Sequence, residues 1–151
     1  MALDDDIRIL SGVELFADFT SEQLRLLAFG AESTVVQADR KLYREADEAD
    51  CAYIIVSGSI ALYNEGDAEK TPIALAGAGE ILGEMALISD TRRMTSAYAR
   101  TDTQVLRLNR SMFRRILEEY PDVAVHLHSR ILQRFQALVE RIEGMAPRFE
   151  E

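Results

Sequence analysis

The chain has 151 residues, enough for one domain with its own core, and 48% of them are apolar. No uninterrupted apolar run approaches the roughly 20 residues of a membrane span, the acidic start MALDDDIR lacks the order of a secretory signal, and a single cysteine, Cys51, excludes an internal disulfide or a cysteine-based zinc site. A net charge of −9 leaves no general electrostatic attraction to nucleic acid, and the dense basic clusters, Arg92-Arg93, Arg107/Arg110 and Arg114-Arg115, are too short for a nucleic-acid arm, so the expectation is a soluble, cytoplasmic protein with no membrane association and no direct DNA binding.

Residues 4–30 are expected to be helical. Ile7, Leu10, Val13 and Phe16 recur at helical spacing, and Thr20 with Gln23 forms a capping-box signature ahead of Leu24, Leu26, Leu27 and Phe29. Between residues 33 and 108 the period changes. Short runs rich in Val, Ile, Tyr and Thr, such as Thr34-Val35-Val36, Tyr53-Ile54-Ile55-Val56, Ile60-Ala61-Leu62-Tyr63, Ile73-Ala74-Leu75 and Val105-Leu106-Arg107-Leu108, are punctuated by turn residues. Ser57-Gly58 reads as a tight turn and Asn64-Glu65-Gly66-Asp67 as a loop. No crossover helices intervene, so the strands point to an antiparallel barrel or sandwich.

Residues 109–145 return to helical spacing. Asn109 suits an N-cap, residues 111–119 read as one helix, and Pro121 with Asp122 suits the first turn of the next. Along that last helix Ala124, His128, Ile131, Phe135, Leu138 and Ile142 step by alternating threes and fours, an a/d seam. Leu127, Leu132 and Val139 widen the apolar face, so the helix is expected to pack on its own domain and on a second copy of the chain. Gly144 and Pro147 are expected to end it. The fold class is therefore α+β, with N-terminal helices, an antiparallel barrel and a long C-terminal helix, in one domain spanning residues 1–151.

The chemistry concentrates in residues 81–96. Gly83-Glu84-Met85-Ala86-Leu87 offers backbone N–H groups at a helix start, where an anion is favoured. A short polar loop then returns Arg92-Arg93, a fork for two phosphate oxygens. Glu84 suits such a place only if it points away from the phosphate toward sugar hydroxyls. Together the parts describe a pocket for a ribose joined to a phosphate.

This stretch resembles the phosphate-binding cassette of cyclic nucleotide-binding domains, the family of the catabolite activator protein and the protein kinase A regulatory subunits. The helical, barrel, helical order is similar over essentially the whole chain. Leu15-Phe16 and residues 20–24 look like the N-terminal helices, and Arg44-Glu45-Ala46-Asp47 followed by residues 53–58 looks like the family's strand and turn. The resemblance implies a jelly-roll-like barrel and a ligand, cAMP or less favourably cGMP, with no other cofactor. Gly83, Met85 and Ala86 would present backbone to the cyclic phosphate and Glu84 would accept from the ribose 2′-hydroxyl. Arg93 would pair with the phosphate, while Leu82, Met94 and Thr95 would line the same side.

Departures from the family pattern are Ala46 in place of glycine, Leu82 in place of phenylalanine, Arg92 in place of proline, and Met94 in place of a small residue. Arg92 is either a solvated loop residue or a second phosphate ligand. Met94 also replaces the threonine that many cGMP-selective sites carry, which favours cAMP. Leu138 and Val139 stand where polar side chains read adenine in the family's transcription factors, so the purine lid reads as apolar. Arg134, one turn earlier, reaches the pocket or makes a surface salt bridge.

The expected function is a stand-alone cyclic nucleotide sensor whose ligand repositions the C-terminal helix and exposes a surface to a downstream protein. Residues 146–151 are too few for a helix-turn-helix. The alternatives are a ligand-free dimerisation module of the same fold, or the sensor part of a longer transcription regulator. His126 and His128 diverge on their helix and Ser57 and Ser59 lack a histidine partner, so no catalytic constellation is expected.

Overall fold

The computed structural model describes residues 2–145. Helix α1 (Ala2–Ser11), a 3-10 turn (Glu14–Phe16) and α2 (Ser21–Gly30) lead into the sheets. The capping box forms as the sequence indicates: Thr20 N–H donates to Gln23 Oε1 at 2.8 Å, and Gln23 N–H donates to Thr20 Oγ1 at 3.2 Å. Ten strands follow: β1 (Glu32–Val36), β2 (Lys41–Tyr43), β3 (Glu48–Ala49), β4 (Cys51–Ser57), β5 (Ile60–Tyr63), β6 (Ala74–Ala76), β7 (Ile81–Leu82), β8 (Thr91–Arg92), β9 (Ser96–Ala99) and β10 (Thr103–Asn109). Helices α3 (Arg110–Glu119) and α4 (Pro121–Met145) complete the described chain.

The strands form two antiparallel four-stranded sheets, ordered β1-β10-β4-β7 and β2-β9-β5-β6, with a small β3-β8 ribbon. They face each other as a jelly-roll-like sandwich rather than a continuously bonded barrel. Ile55, Ile60, Leu62, Leu82, Ala97, Ala99 and Val105 fill the space between them. On the other face of the first sheet, Ala52, Ile54, Ile81, Leu106 and Leu108 pack against Leu10, Phe16, Leu27, Phe113, Leu127 and Ile131 from the helices. Strand β4 is thus apolar on both faces, which explains its unbroken Ile-rich run.

Sequence pattern overlooked β2 and β9 and the two-residue strands β3, β7 and β8, and placed β6 one residue early, at Ile73. Strand β9 reads Ser96-Ala97-Tyr98-Ala99 and carries little β signal. Its Ala97 and Ala99 sit opposite Leu62 and Ile60, where small residues leave room for the larger partners.

Helix α4 is where expectation and structure diverge most. It runs from Pro121 to Met145, the bounds the sequence indicates, with Gly144 inside it rather than ending it; Pro147 and the tail lie outside the described residues. The expected dimer seam mixes two faces. Ile131 is fully buried beside Leu127 in the helical core, and Leu138 packs on the inter-sheet core, so neither is available to a second chain. Val125, His128 and Leu132 face outward instead, Val125 70% and Leu132 43% exposed, while Val139 and Ile142 are half-buried farther along the same flank. Among the described residues, no helix is long and apolar enough to cross a membrane.

The two faces of α4 should differ sharply on truncation. Ile131→Ala is expected to cost about 2–5 kcal/mol by leaving a cavity in the core, and Gln133→Ala, on the exposed face, less than about 0.5 kcal/mol. Equilibrium urea unfolding of both variants checks this, and equal losses would contradict the assigned faces.

Candidate functional site

A cavity of about 290 Å³ opens between the second sheet, the residue 81–95 segment and α4. Its floor is Leu62, Ala74, Ala76 and Leu82; its polar end is Gly83, Glu84, Arg93 and Thr95; its lid is Arg134, Phe135, Leu138 and Arg141. The volume lies at the lower end of the range of small-molecule sites.

Arg93 is the most constrained side chain in it. The residue is buried, and one terminal nitrogen, Nη2, donates to Cys51 O at 2.9 Å and approaches Cys51 Sγ at 3.4 Å. Its guanidinium carbon lies 4.4 Å from the centre of the Tyr43 ring and 5.6 Å from that of Tyr53. Burial pushes both tyrosine hydroxyls up to about 12, against the opposing field of Arg93. The other nitrogen, Nη1, is the single buried side-chain polar atom without a hydrogen-bond partner among the described residues. No carboxylate lies within ion-pair distance of Arg93 among them either. A buried cation without a counter-anion is costly, and an anion reaching this atom would offset that cost.

The neighbouring backbone is shaped to the same end. Residues Glu84–Leu87 form a single 3-10 turn rather than an α-helix, entered through Gly83 in the left-handed region at φ 73°. A Cβ at position 83 would collide with Arg93 Nη1, so glycine is required both for the turn and for the guanidinium to approach. Ala86 N–H already donates to Gly83 O at 3.1 Å, whereas the amides of Glu84 and Met85 have no acceptor among the described residues. Of the backbone groups expected to face an anion, the Met85 amide is free while that of Ala86 is engaged within the turn, and Glu84 adds a second free amide.

Glu84 turns away from Arg93 and accepts from Arg134 Nε of α4 at 2.5 Å. This ion pair spans the cavity mouth; its side chains are 15% and 37% exposed for Glu84 and Arg134. Arg134 thus does both things the sequence offered: it reaches the pocket and forms a salt bridge there. Farther along α4, Arg141 Nη2 donates to Ile73 O at 3.1 Å and ties the lid to the opposite rim.

The remaining expected site residues lie around the same cavity. Leu82 is buried between the sheets and also floors the cavity, Thr95 is buried at its polar end, and Met94 is half-buried on its lining. Met85 lines the cavity while packing on the helical core. Arg92 is exposed, donating to Ala46 O at 2.9 Å and lying 3.8 Å from Glu48, so it clamps the β3–β8 ribbon. Ala46 keeps the left-handed conformation (φ 75°) although it is not glycine, and its N–H donates to Arg93 O at 2.8 Å. Sequence reasoning missed Tyr43, Arg110 and Arg141. Arg110, the first residue of α3, donates to Ala86 O at 2.7 Å and Ala49 O at 2.5 Å and pairs with Asp90, so it buttresses the turn from behind.

Comparison with known proteins places this arrangement. The sequence model of the family described as Cyclic nucleotide-binding domain matches residues 33–120. A structure of a cyclic nucleotide-binding-like protein from Brucella abortus is 61% identical, with a TM-score of 0.68, covering 76% of this chain and 99% of that one. The regulatory domain of Toxoplasma gondii PKA, solved with cAMP, is 25% identical with a TM-score of 0.70, covering 76% of this chain and 44% of that one. Among curated proteins, patatin-like phospholipase domain-containing protein 6 of Mus musculus is 27% identical over 140 residues, 92% of this chain. The chain spans only 10% of that protein's length.

The double demand on residue 83 gives a test of the site's construction. Gly83→Ala is expected to cost about 1–3 kcal/mol through its strained backbone and to displace Arg93. Urea unfolding measures the first effect. Loss of protection of the Arg93 side chain from an arginine-directed dicarbonyl reagent reports the second.

Proposed function

Because the chain belongs to the cyclic nucleotide-binding domain family, we propose that it is a sensor for a purine 3′,5′-cyclic nucleotide, cAMP in preference to cGMP. The observation that carries this reading is the buried, unpartnered Nη1 of Arg93 beside the free amides of Glu84 and Met85. A cyclic phosphate brings one negative charge and two exocyclic oxygens, which suit one guanidinium nitrogen and a pair of amides. The ribose 2′-hydroxyl would donate to Glu84, and the base would lie on Leu62, Ala74 and Leu138. Adenine is preferred because Met94 supplies no hydroxyl after the arginine.

Signalling follows from the lid. Arg134 holds α4 to the same carboxylate that the ribose would engage, so ligand and helix share one anchor. Binding that favours one arrangement of α4 over another shifts the population between them, tenfold for each ~1.4 kcal/mol of preference. The output would be a surface offered to a downstream protein rather than to DNA, in keeping with the net charge of −9. We place the protein in the cytoplasm and assign it a regulatory role without catalysis. The phospholipase name belongs to proteins of which this chain spans a tenth.

We further propose a homodimer formed along the outward stripe of α4. Val125, His128, Leu132, Val139 and Ile142 lie at heptad spacing, with Val125 and Leu132 left in solvent, and a second copy of the helix would cover them.

Isothermal titration calorimetry tests the ligand. Saturable binding of cAMP at about micromolar affinity, roughly −8 kcal/mol, is expected, and Arg93→Ala should remain folded and give no heat. No heat from the folded wild type with either nucleotide would move the assignment to a ligand-free interaction module. Sedimentation equilibrium tests the dimer. The wild type is expected at twice the chain mass and Leu132→Glu at the chain mass, and a monomeric wild type would refute it.

A further inference from the structure

The turn that pins Arg93, Arg44-Glu45-Ala46-Asp47, is held in an unfavourable backbone state by side chains from elsewhere. Ala46 sits at φ 75°, in the left-handed region that glycine adopts freely and an L side chain does not. Backbone bonds tie this turn to Arg93 on both sides: Ala46 N–H donates to Arg93 O, and Arg93 N–H donates to Asp47 O, each at 2.8 Å. Tyr43, the residue before the turn, places its ring centre 4.4 Å from the Arg93 guanidinium carbon. A shift of the turn would therefore move both the main chain of Arg93 and the aromatic face against its side chain.

What keeps the turn shut comes from the loop between β5 and β6. Glu65 Oε2 accepts from Ser96 Oγ at 2.6 Å, Lys41 Nζ at 2.7 Å and Tyr63 Oη at 3.2 Å. Ser96, fully buried at the start of β9, accepts in turn from Glu45 N–H at 2.8 Å. Glu45 returns the contact, its Oε1 accepting from Glu65 N–H at 2.8 Å. Glu65, Ser96 and Glu45 thus close a ring in which the Ser96 hydroxyl both donates and accepts. The bonds from Lys41 and Ser96 hold the Glu65 carboxyl down to about 2, so it accepts as an anion at neutral pH.

We propose that Glu65 is a positioning residue for Arg93. Through the Ser96 hydroxyl and its own amide it holds the Ala46 turn closed, and the turn fixes Arg93 where an anion would meet Nη1. The device suits this chain in particular, because Ala46 lacks the freedom of glycine and its conformation needs an outside hold. Glu65 does not line the cavity, so its effect on binding travels through the turn. The affinity part of the test rests on the cyclic nucleotide reading of the cavity, while the accessibility of Arg93 does not.

Wild type, Glu65→Ala, Glu65→Gln and the double variant Glu65→Ala/Ala46→Gly are titrated with cAMP, and each is treated with an arginine-directed dicarbonyl reagent in the absence of nucleotide. Glu65→Ala is expected to weaken cAMP binding about tenfold, the lower end of what losing an outer partner costs at metal sites, and to raise the rate of Arg93 modification. Glu65→Gln should retain most of both properties, since its amide oxygen still accepts from Ser96. Adding Ala46→Gly to Glu65→Ala should restore both, because glycine keeps the left-handed turn unaided. Thr20→Ala, which removes the α2 cap, is the control for lowered stability alone and should change neither. Wild-type affinity and protection in Glu65→Ala would overturn the assignment, as would losses that Ala46→Gly leaves in place. Absence of cAMP binding by the folded wild type would remove the nucleotide reading alone, and Arg93 modification would then decide the role of Glu65. Glu65 stands in an exposed loop, and circular dichroism confirms that each variant is folded.

Discussion

A guanidinium buried without a counter-ion governs the design of this protein. Desolvating such a group costs several kcal/mol even after relaxation. The Cys51 carbonyl offsets part of that, at about 1.5–3 kcal/mol for a charge-assisted bond, and the Tyr43 face adds about 0.5–2 kcal/mol. Neither supplies negative charge. The elements converging on Arg93 include the start of β4, the end of β2, the Gly83 turn, and Ala46, whose left-handed backbone is pinned to the Arg93 carbonyl. Such convergence over-determines the position of one side chain, as expected where strain and desolvation are held for binding.

Helix α4 divides its work along its length. Leu127 and Ile131 lock its first half into the core, where displacement would expose two fully buried side chains. Beyond Ile131 the inward contacts become Arg134 with Glu84, Leu138, and Arg141 with Ile73. These are partly solvated polar bonds around one apolar contact, and each is worth less than the core packing. Motion of low cost is therefore confined to the second half of the helix, the half that covers the cavity. Arg110 makes the turn a poor hinge by contrast, because it fastens Ala86 and Ala49 to the start of α3.

Much of this was legible in sequence where chemistry is local. The Thr20 capping box, the Asn109 cap and Pro121 at a helix start each depend on a few adjacent residues, and each forms. The cassette was legible because Gly83, Glu84 and Arg93 lie within one loop. Tyr43 and Cys51 were not, because sheet pairing brings them to Arg93 from distant positions. The outward stripe was misassigned for a different reason. Two interleaved heptad series run along α4, one inward through Leu127, Ile131, Arg134, Leu138 and Arg141, the other along its flank through Val125, His128, Leu132, Phe135, Val139 and Ile142, exposed at Val125, His128 and Leu132 and half-buried beyond them. With both faces apolar, periodicity alone does not tell which one meets the domain. Arg134 and Arg141 look like surface charges in the sequence, and only the docked helix turns them into the polar rim of a cavity.

Charge accounting ties the helix to the anion. At the polar end of the cavity Arg93 contributes one positive charge, Glu84 one negative and Arg134 one positive. The docked site is thus locally positive in a chain of net charge −9, and a monoanionic phosphate would neutralise it. Undocking the second half of α4 removes Arg134 and leaves Glu84 uncompensated beside the place of the phosphate, where like charges repel. An anion in the cavity and a docked α4 would therefore favour each other, and by linkage each would tighten the other by the same factor. The short bond between Glu84 and Arg134 then serves two ends. It holds the lid, and it would keep the Glu84 carboxylate from repelling an anion bound beside it.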